Sequence, residues 1–195
     1  AWRHIMPQRD RPALLALTRQ SVPVFDRNRF ASADGLLKGG YVLAHGDGDP
    51  QVILIGTGSE VQHCVAAWES LSGEGVRARV VAMPCWEIFD RQDKAYRDSV
   101  LPPSVTARVA IEAGSTFGWE RYVGDRGVVI GLDRFGESAP IQDVMREFGF
   151  TAENVLAAAR RLLDDDSPKS KPTRVKKKES SDAEIKLSES SGAGV

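Results

Sequence analysis

The amino-acid sequence predicts an α/β fold: a mostly parallel five-stranded sheet with one antiparallel edge strand and helices on both faces. Two patterns predict it. Short apolar runs rich in β-branched residues occur four times, and segments of helical periodicity lie between and after them. Continuous apolar runs are typical of parallel strands that are buried on both faces. Strands that alternate with helices build this class of sheet.

The strands are predicted from their apolar composition. The four runs are QVILIG, ARVVAM, ARVAIE and GVVIG, at residues 51–56, 78–83, 107–112 and 127–131. The fifth strand comes from GGYVLAHGDGDPQVILIG, in which a Gly- and Asp-rich turn separates two apolar arms and so predicts a hairpin. We expect its first arm, residues 40–44, to form the antiparallel edge of the sheet.

Three helices are predicted from apolar residues at helical spacing. Their buried faces are Val61, Cys64, Val65, Trp68 and Leu71; Ile141, Val144, Met145 and Phe148; and Val155, Leu156, Ala159, Leu162 and Leu163. Pro140 is predicted to open the second helix and Gly149 to end it, and Thr151 is the expected N-cap of the third.

The chain divides into four predicted parts. A stretch of polar and Gly-containing residues follows the apolar run at 13–18, and a linker of that length is unusual inside one compact domain. We therefore interpret residues 1–20 as the end of a preceding domain, 21–37 as a linker and 38–163 as the main domain. Residues 164–195 have almost no large apolar side chains and nearly balanced charges, which predicts a disordered tail.

Composition excludes several classes of function. The 195-residue chain has a formal net charge of −1, so no overall field favours nucleic acid or a membrane surface. No apolar run is long enough for a transmembrane helix, and no signal peptide is recognisable. Cys64 and Cys85 lack metal or redox spacing, which favours a reducing, cytoplasmic location and leaves a disulfide open. Because the sequence begins at Ala1, we expect a piece of a longer chain.

The segment GTGSE, residues 56–60, follows a strand and opens a helix, where backbone amides can bind phosphate. Val61 stands where the dinucleotide fingerprint requires a third glycine. Ser59 and Gln62 have the spacing of a capping box, and Glu60 places a negative charge in the first turn. We favour a structural turn over a phosphate site.

Other motifs also favour structural explanations. GDG at residues 46–48 resembles the start of a cofactor motif, but it lacks the following asparagine pair and lies in a predicted turn. The three histidines are dispersed and predict neither a metal site nor a catalytic triad. Trp86, Glu112 and Trp119 follow predicted strand ends, where open α/β sheets bind ligands. Core or subunit contacts are favoured there, with a ligand site left open.

Arg19 ends the apolar run at 13–18, and Pro23 limits the path of the chain beyond it. A planar guanidinium suits phosphate, and one charge-assisted hydrogen bond contributes about 1.5–3 kcal/mol. A salt bridge at an exposed rim contributes less than about 1 kcal/mol. From the residues alone, the salt bridge is the favoured interpretation.

The order of several segments resembles the C-terminal portion of transketolase. They span residues 12–163 and read LALTRQSVP, GGYVL, VILIGTGSEV, RVVAMPCWEIFDRQDKAYRDSVLPP, ARVAIEAG, GWERYVG and DRFGESAP, with FGFTAENV downstream. The block MPCWEIFDRQ…YRDSVLP is similar to transketolase proper rather than to its thiamine-dependent relatives.

The resemblance implies transfer of a two-carbon ketol unit from a ketose phosphate to an aldose phosphate, a step of the pentose phosphate pathway. The complete enzyme is implied to be a homodimer with thiamine diphosphate and a divalent cation, Mg²⁺ or Ca²⁺. Residues 1–20 would end its pyrimidine-binding domain, and residues 38–163 would be its C-terminal domain, which contacts the missing N-terminal domains and the dimer partner. Arg19, in the family segment L-[ST]-R-Q, corresponds to the arginine that contacts the substrate phosphate.

The cofactor and metal ligands of the family lie upstream of this chain. We therefore expect no catalytic, cofactor-binding or metal-binding residue here, no cofactor bound by the chain alone, and no activity of the chain alone. Sugar phosphates are the expected substrates, and neither nucleic acid nor a membrane is an expected partner. The chain is predicted to be a fragment or one subunit of a split enzyme. The alternative is a standalone, non-catalytic α/β interaction or regulatory module derived from the same fold.

Overall fold

The computed structural model describes residues 1–166 and contains a single five-stranded sheet in that part of the chain. The strands are β1 (Tyr41–His45), β2 (Val52–Gly56), β3 (Ala78–Ala82), β4 (Arg108–Ile111) and β5 (Val128–Ile130), in the spatial order β1-β3-β2-β4-β5. β1 runs antiparallel to β3, and the other neighbours are parallel. The predicted mostly parallel sheet with one antiparallel edge strand is confirmed.

The predicted hairpin is wrong, although its first arm is the antiparallel edge strand. β3 lies between β1 and β2, so the two arms do not pair. The connecting loop crosses the start of β3: Gly46 N donates to Ala78 O (3.3 Å) and Gln51 N donates to Arg77 O (2.7 Å). Neighbouring strands lie about 4.8 Å apart, so a six-residue loop can pass over one strand where a two-residue turn cannot.

Helices cover both faces of the sheet. Within residues 1–166 they are α1 (Trp2–Ile5), α2 (Val61–Gly73), α3 (Trp86–Asp90), α4 (Lys94–Val100), α5 (Glu120–Val123), α6 (Ile141–Glu147) and α7 (Ala152–Asp166). The two long helices α2 and α7 pack against each other over one face of the sheet. The short helices α3, α4 and α5 cover the other face. None of the described helices has the length and apolar composition needed to cross a membrane.

The three predicted helices form close to their predicted bounds. Thr151 Oγ1 accepts a hydrogen bond from Asn154 N (3.3 Å), which confirms the predicted N-cap of α7. Pro140 precedes α6 as its cap residue, one position before the predicted place. Gly149 has φ +78° just after α6, a conformation that favours glycine and ends the helix there.

The sheet separates two hydrophobic cores. β2 is buried along its whole length, as its continuous apolar sequence predicts for a central parallel strand. Val52 and Leu54 face the core beneath α2 and α7, and Ile53 and Ile55 face the core beneath the short helices. This alternation follows from the two-residue repeat of a strand.

The strand predicted at residues 13–18 is wrong for the chain as the structure describes it. That segment has no regular secondary structure, and Leu14 and Leu17 are 93% and 75% exposed. A strand needs a neighbour for its backbone N–H and C=O groups, and nothing among residues 1–166 pairs with this one. α7 also continues to Asp166, so the first three residues of the predicted tail are helical. The rest of that tail lies outside the described residues.

Candidate functional site

Arg19 lies on an exposed arm, residues 1–24, which precedes the sheet. The neighbouring Thr18 hydroxyl donates to Gln20 Oε1, and Gln20 N donates to Thr18 Oγ1 (3.3 Å), so these side chains satisfy each other. Within residues 1–166, the Arg19 guanidinium has no hydrogen bond or ion pair. The salt bridge favoured from the residues alone therefore does not form in the described part of the chain.

The arm also exposes large apolar side chains. They are Trp2, Met6, Leu14, Leu17, Val22 and Val24. Exposed apolar surface of this extent is typical of a segment that contacts another protein surface. Arg19 is thus a cation on a segment that exposes several large apolar side chains, two residues after Leu17 and three before Val22.

The arm is attached to the domain at Phe25 and Phe30. The two rings are 5.1 Å apart, and Phe30 also contacts Trp68 of α2 at 6.1 Å between ring centroids. Arg29 lies over the Phe30 ring (5.1 Å) and pairs with Glu69 (2.7 Å). The predicted linker is therefore packed against the domain through Phe25 and Phe30, and the arm before it also contacts the domain through the ion pair of Arg3 with Asp34.

The turn after β2 leads directly into α2 and contains a hydrogen bond between two of its own side chains. Residues Gly58–Glu60 form a 3₁₀ turn, and Ser59 Oγ donates to Glu60 Oε1 (2.7 Å). The capping box predicted from Ser59 and Gln62 does not form, because Ser59 lies inside the 3₁₀ turn and Glu60 is the N-cap residue of α2. Glu60 is only 6% exposed, and its charge beside the amides disfavours an anion there. The geometry agrees with a structural turn.

The aromatic residues after the strand ends form part of the core. Trp119 is fully buried and its Nε1 donates to Glu112 Oε2 (2.8 Å), while its ring meets Trp86 edge to face at 4.9 Å. The Tyr122 hydroxyl donates to Asp90 Oδ1 (3.0 Å). Burial, and secondarily the Asp90 carboxylate, raises the pKa of Tyr122. These residues are therefore occupied with one another rather than open to a ligand.

Asp133 connects two loops at the carboxyl edge of the sheet, and no sequence motif predicts this role. Its carboxylate accepts hydrogen bonds from Ser115 Oγ (3.0 Å), Thr116 N (2.9 Å) and Thr116 Oγ1 (2.6 Å). These donors, with the Thr116 hydroxyl first, lower the pKa of Asp133. The two joined loops each present an exposed phenylalanine, Phe117 and Phe135.

Metal-ligating and thiol groups are isolated in the part of the chain that the structure covers. No group of three or more His, Cys, Asp or Glu side chains there could hold a metal ion. Cys64 and Cys85 are both free thiols. Burial, and then the nearby Glu60, raises the pKa of Cys64. Burial lowers the pKa of His63 despite the carboxylates of Glu60 and Glu153. None of these groups forms a catalytic set.

The sheet and its flanking helices match one known family over more than half of the chain. Residues 39–151 match the family described as "Transketolase-like TK C-terminal domain". Transketolase 1 of Escherichia coli is 50% identical over 163 residues, which are 84% of this chain and 24% of that protein. The chain thus spans about a quarter of the length of the curated relatives that it matches.

Solved structures agree with this match. A transketolase from Pichia stipitis in complex with sedoheptulose-7-phosphate aligns with a TM-score of 0.63 at 36% identity, over 70% of this chain and 20% of that one. The inactive β4 tetramer of a split-gene transketolase aligns with a TM-score of 0.54 at 26% identity, over 75% of this chain and 48% of that one. The chain belongs to the transketolase family and contains its C-terminal domain.

Proposed function

We propose that this chain is the C-terminal region of an enzyme that transfers a two-carbon ketol unit from a ketose phosphate to an aldose phosphate. Family membership supports the reaction class. The Pichia stipitis relative, which binds sedoheptulose-7-phosphate, supports sugar phosphates as substrates. The observation that carries the role of this chain is Arg19, a cation without a partner among the described residues on an arm that exposes apolar side chains.

The arm acts by completing a strand in the preceding domain. In a strand, Leu15, Leu17 and Arg19 share one face, and Leu14 lies on the other. Apolar residues on both faces are typical of a strand that is covered on both sides. Burial of Leu14 and Leu17 would stabilise this arrangement by about 1.5–3 kcal/mol each. The strand would then fix the direction of Arg19, whose planar guanidinium binds the phosphate of the substrate.

The domain itself serves packing against the missing N-terminal domains and contacts within a homodimer. The exposed apolar arm supports the first role, because it requires a covering surface. The complete enzyme uses thiamine diphosphate and a divalent cation, Mg²⁺ or Ca²⁺. No side-chain cluster among residues 1–166 fits that cation, so we assign its ligands to the upstream domains. A cytoplasmic location is proposed on the two free thiols.

We also propose that the chain has no ketol transferase activity alone. The split-gene relative, a β4 tetramer that is inactive, supports this proposal and a two-subunit arrangement. The test measures ketol transfer by the 195-residue chain, by a separately produced N-terminal transketolase region, and by their mixture with thiamine diphosphate and Mg²⁺. We expect activity in the mixture only. Turnover by the chain alone would overturn the proposal.

The role of Arg19 is tested in the complete enzyme with Arg19→Ala. Loss of one charge-assisted bond to phosphate should lower kcat/KM for phosphorylated acceptors by about 10- to 150-fold. Unphosphorylated acceptors should be affected little. Arg161→Ala, which removes an exposed arginine of α7, is the matched control and should leave both values unchanged. An equal loss for both kinds of acceptor would contradict a phosphate role.

A further inference from the structure

The face of the sheet opposite α2 and α7 contains an open cleft. Its helices α3, α4 and α5 have only five, seven and four residues, so they cover the sheet incompletely. Between α4 and α5 they leave a cavity of about 900 Å³, bordered also by the segment before β4 and the turn after α5. A cavity of this size is large enough for a small organic molecule.

The floor of this cleft is apolar. It is formed by Phe89, Leu101, Val105, Tyr122 and Val123, which belong to the core on this face of the sheet. The Tyr122 hydroxyl already donates to Asp90 Oδ1 of α3 (3.0 Å), so its polar group has a partner. An aromatic or aliphatic body lying on this floor would lose water from both surfaces, which is favourable.

Two arginines that border the cleft, Arg97 and Arg108, have no carboxylate partner among residues 1–166. Arg97 of α4 is partly buried, and its side chain has no hydrogen bond or ion pair within residues 1–166. Arg108 donates to four backbone carbonyls, which satisfy its N–H groups without neutralising its charge. A guanidinium has five N–H donors, so one donor of Arg108 is left over.

The acidic residues of the cleft do not cancel these two charges. Asp90 pairs with Arg121 (3.2 Å) and Asp98 pairs with Lys94, both along the surface of the helices. Asp125 lies on the exposed turn after α5. The partly buried part of the wall is therefore cationic, and the exposed carboxylate is at the rim, where solvent screens it.

We propose that this cleft binds a small organic anion: a carboxylate or phosphate group on an apolar body. Arg97 and the remaining donor of Arg108 bind the acidic group, and the apolar floor contacts the body. Both kinds of acidic group fit a guanidinium, so the chemistry of the group is decided by the test. The inference uses no part of the arm, and it holds or fails independently of the function proposed for Arg19.

The test uses the full 195-residue chain and four probes: phenyl phosphate, benzoate, inorganic phosphate and benzyl alcohol. Binding is followed by calorimetry and by the NMR resonances of the Nε–Hε groups of Arg97 and Arg108. We expect one of the aromatic anions to bind with a dissociation constant of about 1 mM or tighter, as a ligand of this size can. Binding should shift the resonances of both arginines. Whichever of phenyl phosphate and benzoate binds more tightly identifies the acidic group.

Arg97→Gln should weaken that binding by about tenfold, because one charge-assisted bond is lost. Arg97→Lys, which keeps the charge, should weaken it less. Arg91→Gln removes an equal charge at the end of α3, outside the cleft, and should change nothing; circular dichroism confirms that each variant is folded. Equal binding of benzyl alcohol or of inorganic phosphate would overturn the proposal. So would unchanged affinity in Arg97→Gln, or no binding of either aromatic anion.

Discussion

Replacing Arg108 by methionine removes one cation that holds together three segments of the domain. Its Nε donates to Val105 O (2.8 Å), one terminal nitrogen donates to Tyr122 O (2.6 Å), and the other donates to Leu101 O (3.2 Å) and Pro102 O (2.8 Å). Methionine keeps much of the apolar stem and cannot donate. All four carbonyls then lose their side-chain partner at once.

The expected loss of stability follows from the number of these bonds. A hydrogen bond from a charged donor contributes about 1.5–3 kcal/mol when it is buried. Arg108 is only partly buried, and water can replace some of its bonds, so we use about 1 kcal/mol for each. The four bonds together predict a decrease of about 4 kcal/mol in the free energy of unfolding. This is a large part of the stability of a typical domain.

Arg79→Met is the matched control. Arg79 is also partly buried, but within the described residues it donates to only two carbonyls, Ser99 O (2.7 Å) and Val100 O (3.0 Å), and its Nε has no hydrogen-bond partner there. We expect a loss of about 2 kcal/mol there by the same reasoning. Urea unfolding of the full chain, followed by tryptophan fluorescence, gives both values. If Arg108→Met lowers the free energy of unfolding by no more than Arg79→Met does, the assumption that these hydrogen bonds contribute additively is refuted.

Two further predictions concern a loop and a turn. Asp133→Asn should lower the urea midpoint at pH 7, because Ser115 and Thr116 then lose a charged acceptor. Folding lowers the pKa of Asp133. The carboxylate therefore contributes to the free energy of unfolding above about pH 4, and this contribution is lost as the pH falls through the folded-state pKa. Equal differences between wild type and variant at pH 7 and pH 2 would contradict this. Gly39→Ala should lower the free energy of unfolding by more than about 2 kcal/mol. Gly39 has φ +81°, and the Cβ of an alanine there would lie 2.2 Å from a backbone nitrogen of α3. Gly46→Ala, with open space around it, should change the unfolding free energy by less than about 0.5 kcal/mol, and similar losses at both glycines would refute the steric argument.

The features predicted correctly from sequence are those that depend on local patterns. The buried residues of β2 and of the helix from Val61 to Leu71 can be predicted from the spacing of apolar residues. This is possible because the repeat of a strand or a helix determines which side chains face the core. Thr151 was likewise recognisable as a cap, since its partner Asn154 is three residues away. Family resemblance then added what no periodicity contains, the role expected of Arg19.

The features that were missed depend on partners distant in the sequence or outside this chain. β1 pairs with β3, whose first residue is more than thirty positions beyond, so the turn between β1 and β2 could not reveal it. Asp133 binds residues that lie 17 and 18 positions away. The 3₁₀ turn at Gly58–Glu60 moves the N-cap of α2 to Glu60, and the spacing of Ser59 and Gln62 does not reveal that shift. Residues 13–18 form no strand, because nothing among residues 1–166 pairs with their backbone.

The attachment of Phe25 to the domain through Phe30 limits where a phosphate bound by Arg19 could be. Arg19 lies six positions before Phe25, and an extended chain advances at most about 3.6 Å per residue. The Cα of Arg19 therefore cannot be more than about 22 Å from the Cα of Phe25, however the arm is arranged. A phosphate bound by Arg19 would add only the length of one arginine side chain to that distance, so the C-terminal domain would then lie close to the phosphate end of the substrate.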